Sequence, residues 1–389
     1  MKINVIYQGV FPPKKGASGA DRRVRSIVRG IAQDSNSVEM LIPANRNPSK
    51  ENKDKDEYSI HYLGTSMFKN FLFIGKIAYW FSVLKYVITN KVDLVLFYGT
   101  SMEGIPIAYL LRLIGTKVVY ELCDLPSSSL KGFGKFRNEL AENVLPKCTN
   151  LNIVISDFLE THVKKMAPKT PTLKIPILVD SDLFITNAND AESIRVKYNI
   201  KKDDILLAYA GGTWKEEGVI FLLEAFKILS NEYSNIRLII AGKLAESIRH
   251  DDIKGFVEKN NISDKIITTG WIGTDELTGV YSAADILVLP QIQHQFNQAG
   301  LPTKLAEYSA MGKSIVATKV GDVTLYFDHK VNSILCEPSN VSDLKEALEL
   351  IITDQTLRTE IGKNAKITAN KFFDYRVAGF NMLEAFSKL

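Results

Sequence analysis

The chain has 389 residues, 46% of them hydrophobic and 24% charged, with a formal net charge of +4. This is long enough for two domains with cores of their own and excludes a disordered or fibrous protein. Its three cysteines, Cys123, Cys148 and Cys336, form no CxxC pair. Their scatter argues against a disulfide framework or a cysteine zinc site and suits a reducing compartment.

Lys2–Gln8 reads as a strand from the outset, with no basic, apolar and small-residue leader before it, which predicts a cytoplasmic protein. The loop Pro12 to Gly19 follows. Gly16 and Gly19 let its backbone approach a ligand, and the helix starting near Ala20 favours negative charge there. Further strands are expected at Ser37–Ile42, Leu94–Tyr98, Lys117–Glu121 and Leu151–Ser156.

The stretch Met67 to Ile88 is rich in Phe68, Phe71, Phe73, Tyr79, Trp80 and Phe81, but Lys69, Lys76 and Lys85 interrupt it. It therefore lacks the run of ~20 apolar residues that a spanning helix needs. Residues 1–190 carry +7 and residues 191–389 carry −3, with Lys14, Lys15, Arg22, Arg23, Arg25 and Arg29 crowded into one loop and helix. A basic helix with aromatics fits peripheral contact with an anionic membrane; the alternative is a helix packed on the first sheet. Nucleic-acid binding is not expected, because the charge is modest and no recognition motif accompanies it.

Polar residues 186–193 read as a linker, and the alternation of strands and helices then resumes from Ile205–Ala210 to Ile334–Cys336. Asp374 to Ser387 is a final helix with Val377, Phe380, Met382, Leu383 and Phe386 on its apolar side. Alternation of this kind implies parallel sheets covered on both faces, here an α/β protein of two doubly wound, Rossmann-like domains. The boundaries read as 1–185, 186–370 and a closing helix at 371–389. Ligands of such folds bind at the carboxyl ends of the strands.

Residues 300–318 are the most informative. Ile286–Pro290 is a strand, Gly300 to Thr303 a turn that opens a helix, and Ser314–Thr318 the next strand. Gly300, Leu301 and Thr303 surround that helix start with backbone N–H groups, Pro302 contributing only its ring, and free N–H groups at such a start receive anions. Lys304 in the first turn adds a cation. Glu307, three residues on and on the same face, adds a carboxylate able to accept two ribose hydroxyl hydrogens. On the pattern alone, Glu307 could equally be a solvated helix residue.

The segment resembles the donor motif of the retaining GT-B glycosyltransferases of family 4, Pro-x-Lys-Leu-x-Glu-Tyr-x-Ala-x-Gly-Lys-x-x-Val-Ala-Thr. Other blocks keep the family's order: Pro176, Val179, Asp180 and Phe184; Gly211, Gly212 and Gly218; Ile239 to Gly242; Thr269 to Ile272; Tyr281 to Asp285; and Asn332 to Pro338. The resemblance implies a GT-B fold, two Rossmann-like domains facing across a cleft. It further implies a nucleotide-diphosphate sugar as donor, a glycan or lipid-linked acceptor, and no metal or other cofactor. Glu307 would hold the ribose, and backbone at Trp271 and Ile272 the base. Gly16, Gly19, Gly211, Gly212, Lys215, Gly242 and residues 300–304 would hold the diphosphate and sugar, and the tail would cross back to the first domain.

Three departures from the family pattern accompany the match. No arginine follows the first C-terminal strand, and Glu217 stands where a lysine is usual, which leaves Lys215 and Lys304 for the diphosphate. Ala299 replaces the first glutamate of the family's pair, passing the sugar-facing role to Gln298, Asn297 or nearby backbone. Cys123 replaces the first-domain histidine, leaving Asp124 or Glu103 as substitutes. Asp124, Gln298 and Lys304 are the expected catalytic residues.

The five histidines show no HxxxH or HExxH spacing, and the pairs Asp54/Asp56 and Asp180/Asp182 fall in a polar loop and the interdomain signature. No metal site is expected. Two alternatives to a retaining transferase are a catalytically weak subunit that binds a sugar nucleotide or partner enzyme, and a sugar-nucleotide 2-epimerase. The second would need more cleft acids and histidines than this chain offers.

Overall fold

Runs such as Leu-Val-Leu-Phe-Tyr at 94–98 and Ile-Leu-Val-Leu at 286–289 are apolar without alternation, as suits strands buried on both faces. In the computed structural model, which describes residues 1–8, 19–33, 37–44, 58–64, 72–99, 102–242 and 250–389, they form the middle of two parallel sheets. The chain divides into two compact units, Met1–Leu178 with Tyr375–Leu389, and Val179–Asp374. The first division falls a few residues ahead of the expected 185.

Among the described residues the first unit has a seven-stranded sheet: β1 (Lys2–Ile6), β2 (Ser37–Pro43), β3 (Ser59–Leu63), β4 (Leu94–Tyr98), β5 (Lys117–Leu122), β6 (Leu151–Val154) and β7 (Thr172–Lys174), ordered β3-β2-β1-β4-β5-β6-β7. Its core joins Ile3, Val5, Ile27, Ile31, Met40 and Leu96 to Met382 and Phe386 of the final helix, Tyr375–Ser387. That helix crosses Gly19–Ala32 at closest approach through two glycines. A Cβ on Gly30 would lie 2.4 Å from Tyr375 O, and one on Gly379 2.1 Å from Gly30 O.

The helix Leu72–Thr89 turns Tyr79, Trp80, Val83 and Val87 inward, with Trp80 stacked on Phe97, and leaves Phe81 and Ile88 exposed. The preceding Met67 to Phe71 lie outside the described residues. No helix among those described is long and apolar enough to cross a membrane.

The second unit has six strands, β8 (Ile205–Ala210), β9 (Ile236–Ala241), β10 (Ile266–Gly270), β11 (Ile286–Leu289), β12 (Ser314–Thr318) and β13 (Ile334–Cys336), in the order β10-β9-β8-β11-β12-β13. Leu207, Tyr209, Val288, Val316 and Phe226 are at the centre of its core. The expected linker at 186–193 is instead the start of a helix, Ala188–Lys197. Asn187 caps it, its side-chain oxygen accepting from Asn189 N at 2.9 Å and Asp190 N at 3.3 Å. Polar capping residues and a polar linker look alike in composition.

Candidate functional site

In a sheet of this order, strand succession reverses between β8 and β11, and the crevice past their carboxyl ends is where ligands bind. Gly211 and Gly212 follow β8, and Gln291 follows β11. Gly211 and Gly242 both have φ of +146°, and a Cβ on Gly242 would lie 1.9 Å from Gly211 O. A Cβ on Gly211 would lie 2.7 Å from the ammonium of Lys304. The two glycines let the ends of β8 and β9 close together beneath that lysine.

Lys304 is in the first turn of the helix Thr303–Ala310, which starts after Pro302 with no side-chain cap. Its Nζ lies 2.5 Å from Glu217 Oε2, 3.2 Å from the Tyr209 hydroxyl and 4.8 Å from the centre of the Tyr209 ring. Lys304, expected to serve the diphosphate as its main cation, is thus already ion-paired, because the glutamate standing in a lysine's place reaches it. The turn Lys215–Glu217 is anchored at Glu216 O, which accepts from Asn297 Nδ2 at 2.8 Å and Ile292 N at 3.1 Å. Lys215 is exposed and makes no ion pair among the described residues.

Gln291 completes the cluster, and the sequence held no signal for it beyond its place after the strand. It is buried, its Nε2 lies 3.4 Å from Glu217 Oε2, and its Oε1 has no hydrogen-bond donor.

Glu307 is 2% exposed and accepts from the Tyr281 hydroxyl at 3.1 Å. Neighbouring Tyr308 meets the Tyr281 ring edge-on and accepts from Ala210 N at 3.1 Å, tying this helix to the end of β8. Burial pushes both phenols, Tyr209 and Tyr308, well above the usual tyrosine range, so they stay protonated. Asn297 spends its amide on Glu216 O and Ile292 O, which makes it a support for the loop rather than the sugar-facing group considered from sequence. Gln298 is exposed, Leu301 buried, and Gly300 half-buried. Trp271 (50% exposed) and half-buried Ile272 follow β10.

Of the expected first-unit residues, Gly16 lies outside the described residues, as do Lys14 and Lys15, while Gly19 opens the first helix. Arg23, counted among the basic cluster, is not at the surface. It is buried, with Nε 2.7 Å from Glu121 Oε1 and its other nitrogens on Pro176 O at 2.5 Å and Ile175 O at 3.0 Å. Beside it, burial and the Glu121 charge hold the Cys123 thiol well above its usual pKa; Tyr98 hydrogen-bonds to it. Asp124 is exposed at its surface, yet removal of water by the surrounding protein, and then the Glu142 charge, raise its carboxyl. Glu103, the other substitute, is ion-paired with Lys76 at 3.1 Å and with Arg137. Among the described residues no group of three His, Cys, Asp or Glu side chains could hold a metal ion.

Residues 190–368, nearly all of the second unit, match the family described as glycosyl transferases group 1. The chain is 23% identical to the lipopolysaccharide 1,2-N-acetylglucosaminetransferase of Salmonella typhimurium, over 91% of this chain and 89% of that one. In fold it is similar to the sucrose-phosphate synthase of Thermosynechococcus elongatus (TM-score 0.79, 18% identity, 100% of this chain and 98% of that one). It is likewise similar to Anabaena Alr3699/HepE, solved in complex with UDP-glucose (TM-score 0.75, 17% identity, the whole of both chains). The sequence of the second unit thus matches the group 1 glycosyl transferases, and the two parallel-sheet units have the GT-B fold.

Proposed function

We propose that the protein transfers a sugar, with retention of its anomeric configuration, from a nucleotide-diphosphate sugar to a glycan or lipid-linked acceptor in cell-surface polysaccharide or glycoconjugate synthesis. The observation that carries this reading is the helix Thr303–Ala310, which brings a lysine and a buried carboxylate to the switch point of the second sheet. The names of the relatives fit it: one acts on lipopolysaccharide, and another was solved with UDP-glucose.

In this reading Glu307 accepts from the ribose, and backbone at Trp271 and Ile272 meets the base. The amides of Thr303 and Lys304, with Lys304, Lys215 and the turns at Gly211, Gly212 and Gly242, stabilise the leaving diphosphate. Stabilisation of developing charge by fixed dipoles and cations is usually the largest catalytic contribution, and here it calls on no metal ion. The bond from the anomeric carbon to the diphosphate oxygen breaks as the acceptor oxygen bonds the same face. The acceptor proton goes to the departing diphosphate oxygen. Gln298 is assigned to the transferred sugar.

In the first unit, Phe81 is exposed near Lys85 on one helix, and Phe133 and Phe136 are exposed near Lys131 and Lys135 on another, which supports peripheral contact with an anionic membrane. Co-sedimentation with vesicles containing phosphatidylglycerol, lost in Phe133→Ser/Phe136→Ser, is the expected result. The Lys304–Glu217 pair favours one second reading, a weakly active subunit that binds sugar nucleotides.

The test is release of nucleoside diphosphate from UDP-, GDP- and ADP-sugars in the presence of membrane extract, with the product anomer read by NMR. Turnover with one donor and a retained anomer is expected. An inverted product sinks the mechanism, and absence of both turnover and donor binding sinks the assignment.

A further inference from the structure

An ammonium that is to receive a phosphate is normally left open to it, yet Lys304 is held by a carboxylate of its own chain. Glu217 Oε2 lies 2.5 Å from Lys304 Nζ, with 13% and 17% of the two side chains exposed. Oε2 also lies 3.2 Å from the Tyr209 hydroxyl and 3.4 Å from the buried amide of Gln291. Two hydrogen bonds to Glu216 O, from the Asn297 side-chain amide and Ile292 N, fix the turn that carries it. The carboxylate is built in, not a mobile surface partner.

We propose that Glu217 is an internal counter-anion that competes with the donor's phosphates for Lys304 and so sets how weakly the site holds nucleoside diphosphate. The inference rests on the transferase reading of this site. A phosphate oxygen bonded to Lys304 Nζ sits about 5 Å from Glu217 Oε2, and unit like charges at that distance near a protein surface oppose binding by tenfold or more. The carboxylate thus makes the leaving diphosphate easier to release after transfer. Glu217 is a positioning residue here, acting through Lys304, and it contacts neither base nor sugar.

The experiment is titration calorimetry on the full chain, comparing wild type, Glu217→Gln and Glu217→Ser. The probes are inorganic pyrophosphate, the nucleoside diphosphates UDP, GDP and ADP, and the matching nucleosides. The expected result is that both variants bind pyrophosphate and the preferred diphosphate at least about tenfold more tightly, while the uncharged nucleoside binds all three proteins alike. A purely structural role would shift nucleoside and diphosphate together. Equal or weaker diphosphate binding by folded Glu217→Gln and Glu217→Ser overturns the inference and leaves the transferase reading standing. If no nucleoside diphosphate binds any of the three proteins, both fall.

Discussion

Arg23→Met should unfold the first unit far more readily than its single lost side chain suggests. Arg23 is 3% exposed and Glu121 fully buried, so removing the guanidinium leaves a carboxylate in the core without its cation. Glu121 Oε2 already has no hydrogen-bond donor, and the carbonyls of Ile175 and Pro176 lose theirs as well. Breaking one side of such a pair costs about 3–5 kcal/mol. With a urea m-value of roughly 2–3 kcal/mol/M, the midpoint should fall by about 1–2 M. Trp80, buried and stacked on Phe97, reports on this unit by fluorescence, whereas Trp214 and Trp271 are exposed in the other. The double variant Arg23→Met/Glu121→Leu should recover most of the loss, because it removes the stranded charge along with its partner. A loss below about 1 kcal/mol in the single variant, or a double variant no better than the single, would refute the reasoning.

Gly242→Ala should cost about 3 kcal/mol or more, since its Cβ would overlap Gly211 O at 1.9 Å and its φ is +146°; an unchanged melting temperature and unchanged nucleotide binding would count against the glycine-lined turn. His162 has its pKa lowered by burial, and its Nε2 lacks a partner. The folded state therefore binds its proton less readily than the unfolded chain, and the stability present above the unfolded pKa of about 6.5 is lost as pH falls from there through the lowered folded pKa. Melting followed from pH 8 to 5 should decline more steeply for wild type than for His162→Leu, and parallel curves would contradict this. Burial pushes the Cys336 thiol up to about 12, and Cys123 is also raised, so iodoacetamide at pH 8 should leave both unmodified in the folded protein by mass spectrometry.

The second sheet was the more legible part. Ile205–Ala210, Ser314–Thr318 and Ile334–Cys336 fold over the residues that their apolar runs mark out. Ser59–Leu63 gave no such signal because it is an edge strand, with partly exposed residues along its length and no apolar run. Thr172–Lys174 is too short for any periodicity to register. At the site, Lys304 and Glu307 could be named from helical spacing because three residues along a helix share a face. Their partners could not: Glu217 is 87 positions from Lys304 and Tyr281 26 positions from Glu307, and nothing local in sequence couples residues at those distances. The fate of Arg23 was hidden for the same reason. In a run of arginines, the one that turns inward is decided by a glutamate on β5.

The central claim is that the second unit binds a nucleoside diphosphate at its strand-switch point through Lys304 and Glu307. Thermal denaturation of the full chain with UDP, GDP and ADP tests it most directly. At ~100 times its dissociation constant, the right nucleotide should stabilise the protein by about 2.7 kcal/mol. Stabilisation by one of them, lost in Glu307→Ala, is the expected result. Stabilisation by none, or stabilisation that survives Glu307→Ala unchanged, would contradict it.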